Sequence, residues 1–226
     1  MNLDSASLIR EFVTLLVVID PIGTIPVYLY AVSGIPRRLH RRFAVRAVLI
    51  SALILLLFLI GGQVVIETLG LRLGSFQIAG GIVLFLFAMT MIFGETKAAL
   101  EIAEAERVDD GEHLSGSVFP LAIPSIASPG AMLAIVILTE NSSNTLVEQA
   151  ITTGLLMFVL LLTLALLIAA NGIHRLIGDT GASVVSRVMG IILATIAVDA
   201  VLGGFDTLGI FEVNEPTATP AIKSLE

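Results

Sequence analysis

Polar and apolar positions divide the chain into six long apolar runs joined by polar connectors. The runs are Leu8 to Tyr30, Ala47 to Ile66, Phe76 to Gly94, Leu114 to Thr139, Gln149 to Ile173 and Val188 to Phe205. Each is close to the roughly 20 residues a helix needs to cross the hydrocarbon core. The second to fifth runs hold no Asp, Glu, Lys or Arg. The first carries Arg10 and Glu11 near one end and Asp20 in the middle, and the sixth carries Asp199. Helices buried in a soluble core would show polar faces at helical spacing. The stretch Ser51-Ala52-Leu53-Ile54-Leu55-Leu56-Leu57-Phe58-Leu59-Ile60 has none.

Composition agrees with this pattern. The chain of 226 residues is 56% hydrophobic and 14% charged, with a mean hydropathy of +1.01. Soluble domains are about 45–50% apolar and about 25% charged. Met1 to Ser7 lacks a basic leader, and the first run leads into Asp20-Pro21-Ile22-Gly23 where a cleavage site would stand, so it is read as a retained span. With no cysteine there are no disulfides, thiolate nucleophiles or cysteine-held metals, and the three histidines, His40, His113 and His174, fall in connectors. No catalytic constellation, metal site or cofactor is expected. Without an ATP-binding loop, energy would come from a coupling ion, H+ or Na+.

The expected fold is an all-α membrane domain of six transmembrane helices spanning residues 1–226. Repeat 1 covers about 8–94, an acidic loop 95–113, repeat 2 about 114–205, and a Pro-containing, disordered tail 206–226. Within the acidic loop, Ala98 to Ala105 is the one candidate for a short surface helix; otherwise the loop reads as a solvated connector. Nine of the twelve Lys and Arg residues lie on one side, led by Arg37, Arg38, Arg41, Arg42 and Arg46 in the first connector. Arg10, Arg72 and Lys223 lie on the other. By the positive-inside rule both termini should be outside and the acidic loop cytoplasmic, in a cell membrane.

The repeat assignment rests on a recurring offset. Asp20-Pro21 matches Ser128-Pro129 and Leu69-Gly70 matches Ile177-Gly178, both at 108 residues. Gly81-Ile82-Val83-Leu84 matches Gly190-Ile191-Ile192-Leu193 at 109. A three-span unit is odd, so its second copy enters the membrane from the opposite side, giving inverted repeats of the kind found in secondary transporters.

The first span of each repeat should be broken at Pro and Gly. In one the run is Asp20-Pro21-Ile22-Gly23-Thr24-Ile25-Pro26; in the other it is Pro120 to Pro124, Ser125, and then Ser128-Pro129-Gly130. Proline deletes a backbone donor and clashes one turn back, at a cost of about 3 kcal/mol or more. Backbone freed at this depth is tolerated only inside protein or against a cavity. Helix N-termini would then receive a carboxylate, and unwound carbonyls an ammonium or cation, so paired breaks suit an amino acid. The plain alternative is a pair of packing kinks. The candidate binding residues are Asp20, Pro21, Gly23, Thr24, Pro26, Pro124, Ser125, Ser128, Pro129 and Gly130, with Thr90 and Asn171 as further small polar groups. A central carboxylate costs about 2.5–3.5 kcal/mol to insert. Asp20 and Asp199 are therefore the ion-coupling candidates, and Asp20 could instead cap the half-helix that Pro21 starts. Gly61-Gly62 and Gly80-Gly81 are read as close helix contacts.

Asp20-Pro21-x-Gly23-x-x-Pro26, Pro120-Leu121-Ala122-Ile123-Pro124 followed by Pro129-Gly130, and Arg187 to Ala194 preceding Ala197-Val198 resemble signatures of the MarC family of multi-spanning membrane proteins. The resemblance covers nearly the whole chain. It implies ion-coupled transport of small neutral amino acids such as glycine or alanine. Asp199 departs from the polar amide frequent in that family's last span. The partners implied are a small-molecule substrate and the lipid bilayer, without nucleic acid; a homo-oligomer is compatible. The competing classes are an intramembrane aspartyl enzyme using Asp20 and Asp199, an exporter or channel of small solutes, and a non-transporting membrane factor.

Overall fold

A computed structural model describes residues 5–93, 101–103, 117–139 and 146–210. Eight helices are delimited among the described residues: α1 (Ser5–Ile19), α2 (Thr24–Ala31), α3 (Arg37–Thr68), α4 (Leu73–Phe93), α5 (Val118–Ile126), α6 (Pro129–Leu138), α7 (Leu146–Ile168) and α8 (Ala170–Thr207). Five stretches are long and apolar enough to cross a bilayer, and α5 with α6 make a sixth when that bent pair counts as one span. The chain is thus a multi-pass helical membrane protein.

The spans follow the apolar runs, with differences at their ends. Helix α3 starts at Arg37, ten residues before the expected Ala47. Pro36 precedes its first turn, and arginine is a good helix former, so the basic connector is itself helical. Helix α8 absorbs the connector before the sixth span and changes direction at Gly178, whose φ of 63° only glycine adopts without strain. In the acidic loop only 101–103 are described; they are helical, with Glu101 buried and Ile102 packed on the core, so this part is not a solvated connector. The rest of that loop and residues 211–226 of the expected tail lie outside the described residues.

The two breaks differ in severity. The first span runs on from Ser7 to Ala31 through its interruption, whereas α5 and α6 meet at 43°. Pro21 heads the turn that leads into α2, a place where its missing N–H goes unused. Pro120 and Pro124 lie inside α5. Phe119 and Ile123, each preceding a proline, are driven to extended backbone, with φ/ψ of −123°/129° and −130°/128°. That stretch winds wide: Ala127 N–H reaches back five residues to the Ala122 carbonyl at 2.9 Å.

Burial shows how the spans are arranged. Two-thirds of the first span's apolar window is buried (67%), against 22% of the window on α8. The first span is therefore the central element. Leu53, Leu57 and Ile60 on α3 and Phe158 and Leu161 on α7 stay exposed, as lipid-facing positions should. Helix α1 packs on α6, α7 and α8, and α2 on α5, α7 and α8. Helix α3 packs on α5, α6 and α7, and α4 on α6 and α8.

The longest seam joins α4 and α8, and it is built from small residues. A side chain at Gly74 would meet the Gly204 carbonyl; at Gly81, the Ala197 carbonyl and Val201; at Gly190, Met91, Ile92 and the Ala88 carbonyl. Gly74, Gly81 and Ala88 fall seven residues apart and face Gly204, Ala197 and Gly190 in reverse order, so the helices are antiparallel and their backbones touch. Without a hydrophobic driving force between helices in lipid, such close backbone packing holds spans together. Gly80 and Gly62 serve α6 in the same way, against Ile137 with Leu133 and against Val136. Among the described residues, nothing lies within 4 Å of a Cβ at Gly61.

Candidate functional site

Asp20 closes α1 with φ at 47°, a left-handed conformation that aspartate tolerates better than most residues. Its backbone N–H still bonds Leu16 O at 3.0 Å. The turn that follows is held by its own groups. Asp20 Oδ1 accepts the Gly23 N–H at 3.0 Å, and Asp20 O accepts both the Thr24 N–H (3.1 Å) and the Thr24 hydroxyl (3.0 Å). Asp20 thus caps the turn at Pro21–Gly23 that leads into α2, while α2 itself is headed by Gly23 with no side-chain cap. The second Asp20 oxygen is engaged elsewhere: Ser186 on α8 donates to Asp20 Oδ2 at 2.7 Å. Gly23 is required for space, because a side chain there would strike the Asp20 carboxylate and the Ser186 hydroxyl.

The second break repeats the scheme with a neutral cap. Ser128 Oγ accepts the Ala131 N–H at 3.1 Å and Ser128 O accepts the Met132 N–H at 2.9 Å, with Pro129 at the first helical position. Side chain to the third residue on, carbonyl to the fourth, proline between: this is the Asp20 arrangement 108 residues later. Ser128→Ala is expected to cost about 1 kcal/mol of stability, the usual loss for an N-cap, read as a lowered midpoint of unfolding in detergent.

One hydroxyl pair joins the breaks. Ser125 donates to Thr24 Oγ1 at 3.3 Å. Ser51 on α3 completes the centre, lying 3.2 Å from the Ala122 carbonyl and 2.9 Å from that of Ala47. Asp20, Thr24, Ser51, Ser125 and Ser128 are 0–1% exposed and Ser186 5%. A knot of hydroxyls and one carboxylate is therefore sealed inside an apolar bundle. Buried polar groups persist where they are mutually satisfied.

The remaining candidates are dispersed. Pro21 is buried at the first break and Pro26 and Pro124 are half-buried. Pro129 is exposed, so it shapes the break without entering the knot, and Gly130 packs against Phe87 of α4. Thr90 bonds the Phe87 carbonyl of its own helix and is exposed, and Asn171 lines a cleft at the basic end. Asp199 stands apart from Asp20: its Oδ2 takes a 3.1 Å ion pair from Arg10, both side chains being largely exposed. Thirteen residues of α8 separate it from Ser186, or about 20 Å of helix, so Asp20 and Asp199 form no aspartyl pair. A double-mutant cycle on Arg10 and Asp199 is expected to give a coupling of at most about 1 kcal/mol, as exposed pairs do.

Ser186 and Ser51 are members that the apolar pattern did not single out. Ser186 falls two residues before the expected sixth span. The signal that finds it is the buried line Ala182, Ser186, Gly190, Leu193, Ala197 and Gly204 along one face of α8. Ser51 sits in a charge-free run where one hydroxyl attracts no notice.

Fold and centre together define a class: a multi-pass helical membrane protein with a closed polar core at two capped helix breaks. The model of the MarC family of integral membrane proteins matches residues 5–208. The chain belongs to that family. It is 30% identical over 194 residues to a UPF0056 membrane protein of Archaeoglobus fulgidus, covering 86% of this chain and 90% of that one. It is likewise 30% identical over 201 residues to the UPF0056 inner membrane protein YhgN of Escherichia coli K12, covering 87% and 95%. A UPF0056 membrane protein of Methanocaldococcus jannaschii shares 28% over 202 residues, covering 89% and 97%. No solved structure matches the chain.

Proposed function

We propose that the protein is an ion-coupled secondary transporter of small neutral amino acids of glycine or alanine size. The observation that carries this reading is the hydroxyl–carboxylate knot at the two capped breaks, with Asp20 as its one acid. Thr24, Ser125 and Ser186 offer hydroxyls to a zwitterion; the Asp20 carboxylate, loaded with H+ or with Na+ among these oxygens, links substrate to ion. Asp199, paired with Arg10 and remote, is assigned no coupling role.

The reading includes two inverted three-helix repeats with both termini outside. Supporting it, the first span packs on the fifth and sixth as the fourth packs on the second and third. The α4–α8 seam is also reciprocal. Gly81 meets residues 197 and 201, Gly190 meets residues 88 and 92, and one offset of 109 converts the first set into the second. Such repeats place substrate where they meet near the midplane.

The test is uptake of radiolabelled glycine and alanine by proteoliposomes under imposed H+ or Na+ gradients. Saturable uptake that follows one gradient is expected. Flux no greater than that of empty liposomes for every amino acid and both gradients overturns the proposal.

A further inference from the structure

At the basic end of the molecule a cleft of about 390 Å³ opens between α2, the first turns of α3 and the start of α8. Arg37 and Arg41 enter it from α3, four residues apart on one face, and Arg175 enters it from α8. Tyr28, His40 and Asn171 complete the lining used here. The wall is held in place: the buried Tyr28 donates to the His40 carbonyl at 3.2 Å, and the His40 ring meets the Ile35 carbonyl at 2.9 Å. Among the described residues no carboxylate ion-pairs with Arg37, Arg41 or Arg175. Three guanidiniums around one cavity repel one another, and the N-terminal turn of α3 adds a positive dipole end. The cavity is therefore built for an anion, and guanidinium forks suit phosphate.

A second, more open hollow of about 540 Å³ lies along α3 alone, lined by Arg41, which it shares with the first, and by Arg42, Val45, Arg46, Leu49 and Ile50. Its floor is apolar, and Leu49 is 63% exposed. From Arg41 to Ile50 it follows nine residues, or about 14 Å of helix, close to the depth of one leaflet in a core about 30 Å thick. A free anion has no use for this groove, whereas an acyl chain has.

We infer that the two clefts together bind one anionic phospholipid, its phosphate among Arg37, Arg41 and Arg175 and one chain along Val45 and Leu49. Basic pockets between membrane helices receive lipid headgroups in this way. The site lies outside the polar knot and does not depend on the transport reading.

The test compares thermal stability of the purified protein in neutral detergent with added phosphatidylglycerol, phosphatidylcholine, glycerol phosphate or inorganic phosphate, together with native mass spectrometry of retained lipid. Phosphatidylglycerol should raise the midpoint and be retained at least tenfold more than phosphatidylcholine. The R37Q/R41Q/R175Q variant should lose that preference, while R72Q should keep it. If the triple variant does not fold, R175Q alone must weaken retention, and added salt must weaken it in the wild type. Equal retention of the two lipids overturns the proposal, as does stabilisation by free phosphate matching that by phosphatidylglycerol. So does phosphatidylglycerol binding that appears only after Glu104, Glu106, Asp109 and Asp110 are neutralised, which would make the acidic loop the occupant.

Discussion

Asp20→Asn should give a folded protein whose gradient-driven uptake falls by more than about tenfold, equivalent to about 1.4 kcal/mol or more in the limiting barrier. Asparagine keeps what the fold takes from this position. It tolerates the left-handed backbone of φ 47°. Its amide oxygen still accepts the Gly23 N–H, and its amide nitrogen can donate to Ser186 Oγ where the carboxylate accepted. Stability should therefore change by less than about 1 kcal/mol, since a buried hydrogen bond is worth about 0.5–1.5 kcal/mol net. What disappears is the site's negative charge and its capacity to bind H+ or Na+. Asp20→Ala is the contrasting variant. It strands the Gly23 N–H and the Ser186 hydroxyl and puts alanine where φ is positive, with an expected cost of about 3 kcal/mol or more. Uptake by the asparagine variant at the wild-type level and with the same ion dependence would remove Asp20 from coupling.

Gly81→Leu and Gly190→Leu should be strongly damaging substitutions outside the knot. A Cβ at position 81 would lie 2.8 Å from the Ala197 carbonyl oxygen, and one at 190 would lie 2.9 Å from Met91 Cβ. Neither obstacle is the far end of a flexible side chain, so the helices must separate. Overpacking of this kind costs about 1–3 kcal/mol for each site. Because both sites lie on one seam, the double variant should be non-additive. Gly61→Leu is the control: among the described residues, nothing lies within 4 Å of a Cβ placed there. Leucine is a better helix former than glycine, so its midpoint should hold or rise. Comparable losses at positions 61 and 81 would show that the seam is not what holds α4 to α8.

Both predictions depend on features of different legibility. The spans could be read because a bilayer demands length and apolarity, and lipid-facing residues such as Leu53 and Leu57 leave no polar face. The breaks could be read because proline's missing donor is a local property, and the Asp20–Ser128 correspondence was visible as a recurring offset. The partners across the bundle were not. Ser186 reaches Asp20 from 166 residues away and Arg10 reaches Asp199 from 189, distances at which spacing says nothing about contact. Burial of Glu101 was hidden for a related reason: an acidic connector reads as solvated unless the neighbour that covers it is known. The unequal severity of the breaks is also a matter of placement. Pro21 opens a turn while Pro120 and Pro124 interrupt one, and composition counts all three alike.

The backbone-to-backbone seam of α4 and α8 has a mechanical corollary. Where glycines lie against carbonyl oxygens the two backbones leave little slack between them, so the two helices are expected to move together as a single keel. Ser186, carried on that keel, is a stationary post. Amide exchange should then be slowest along Gly81–Ala88 and Gly190–Ala197, and faster in α1, α2, α3, α5 and α6 around the sealed centre.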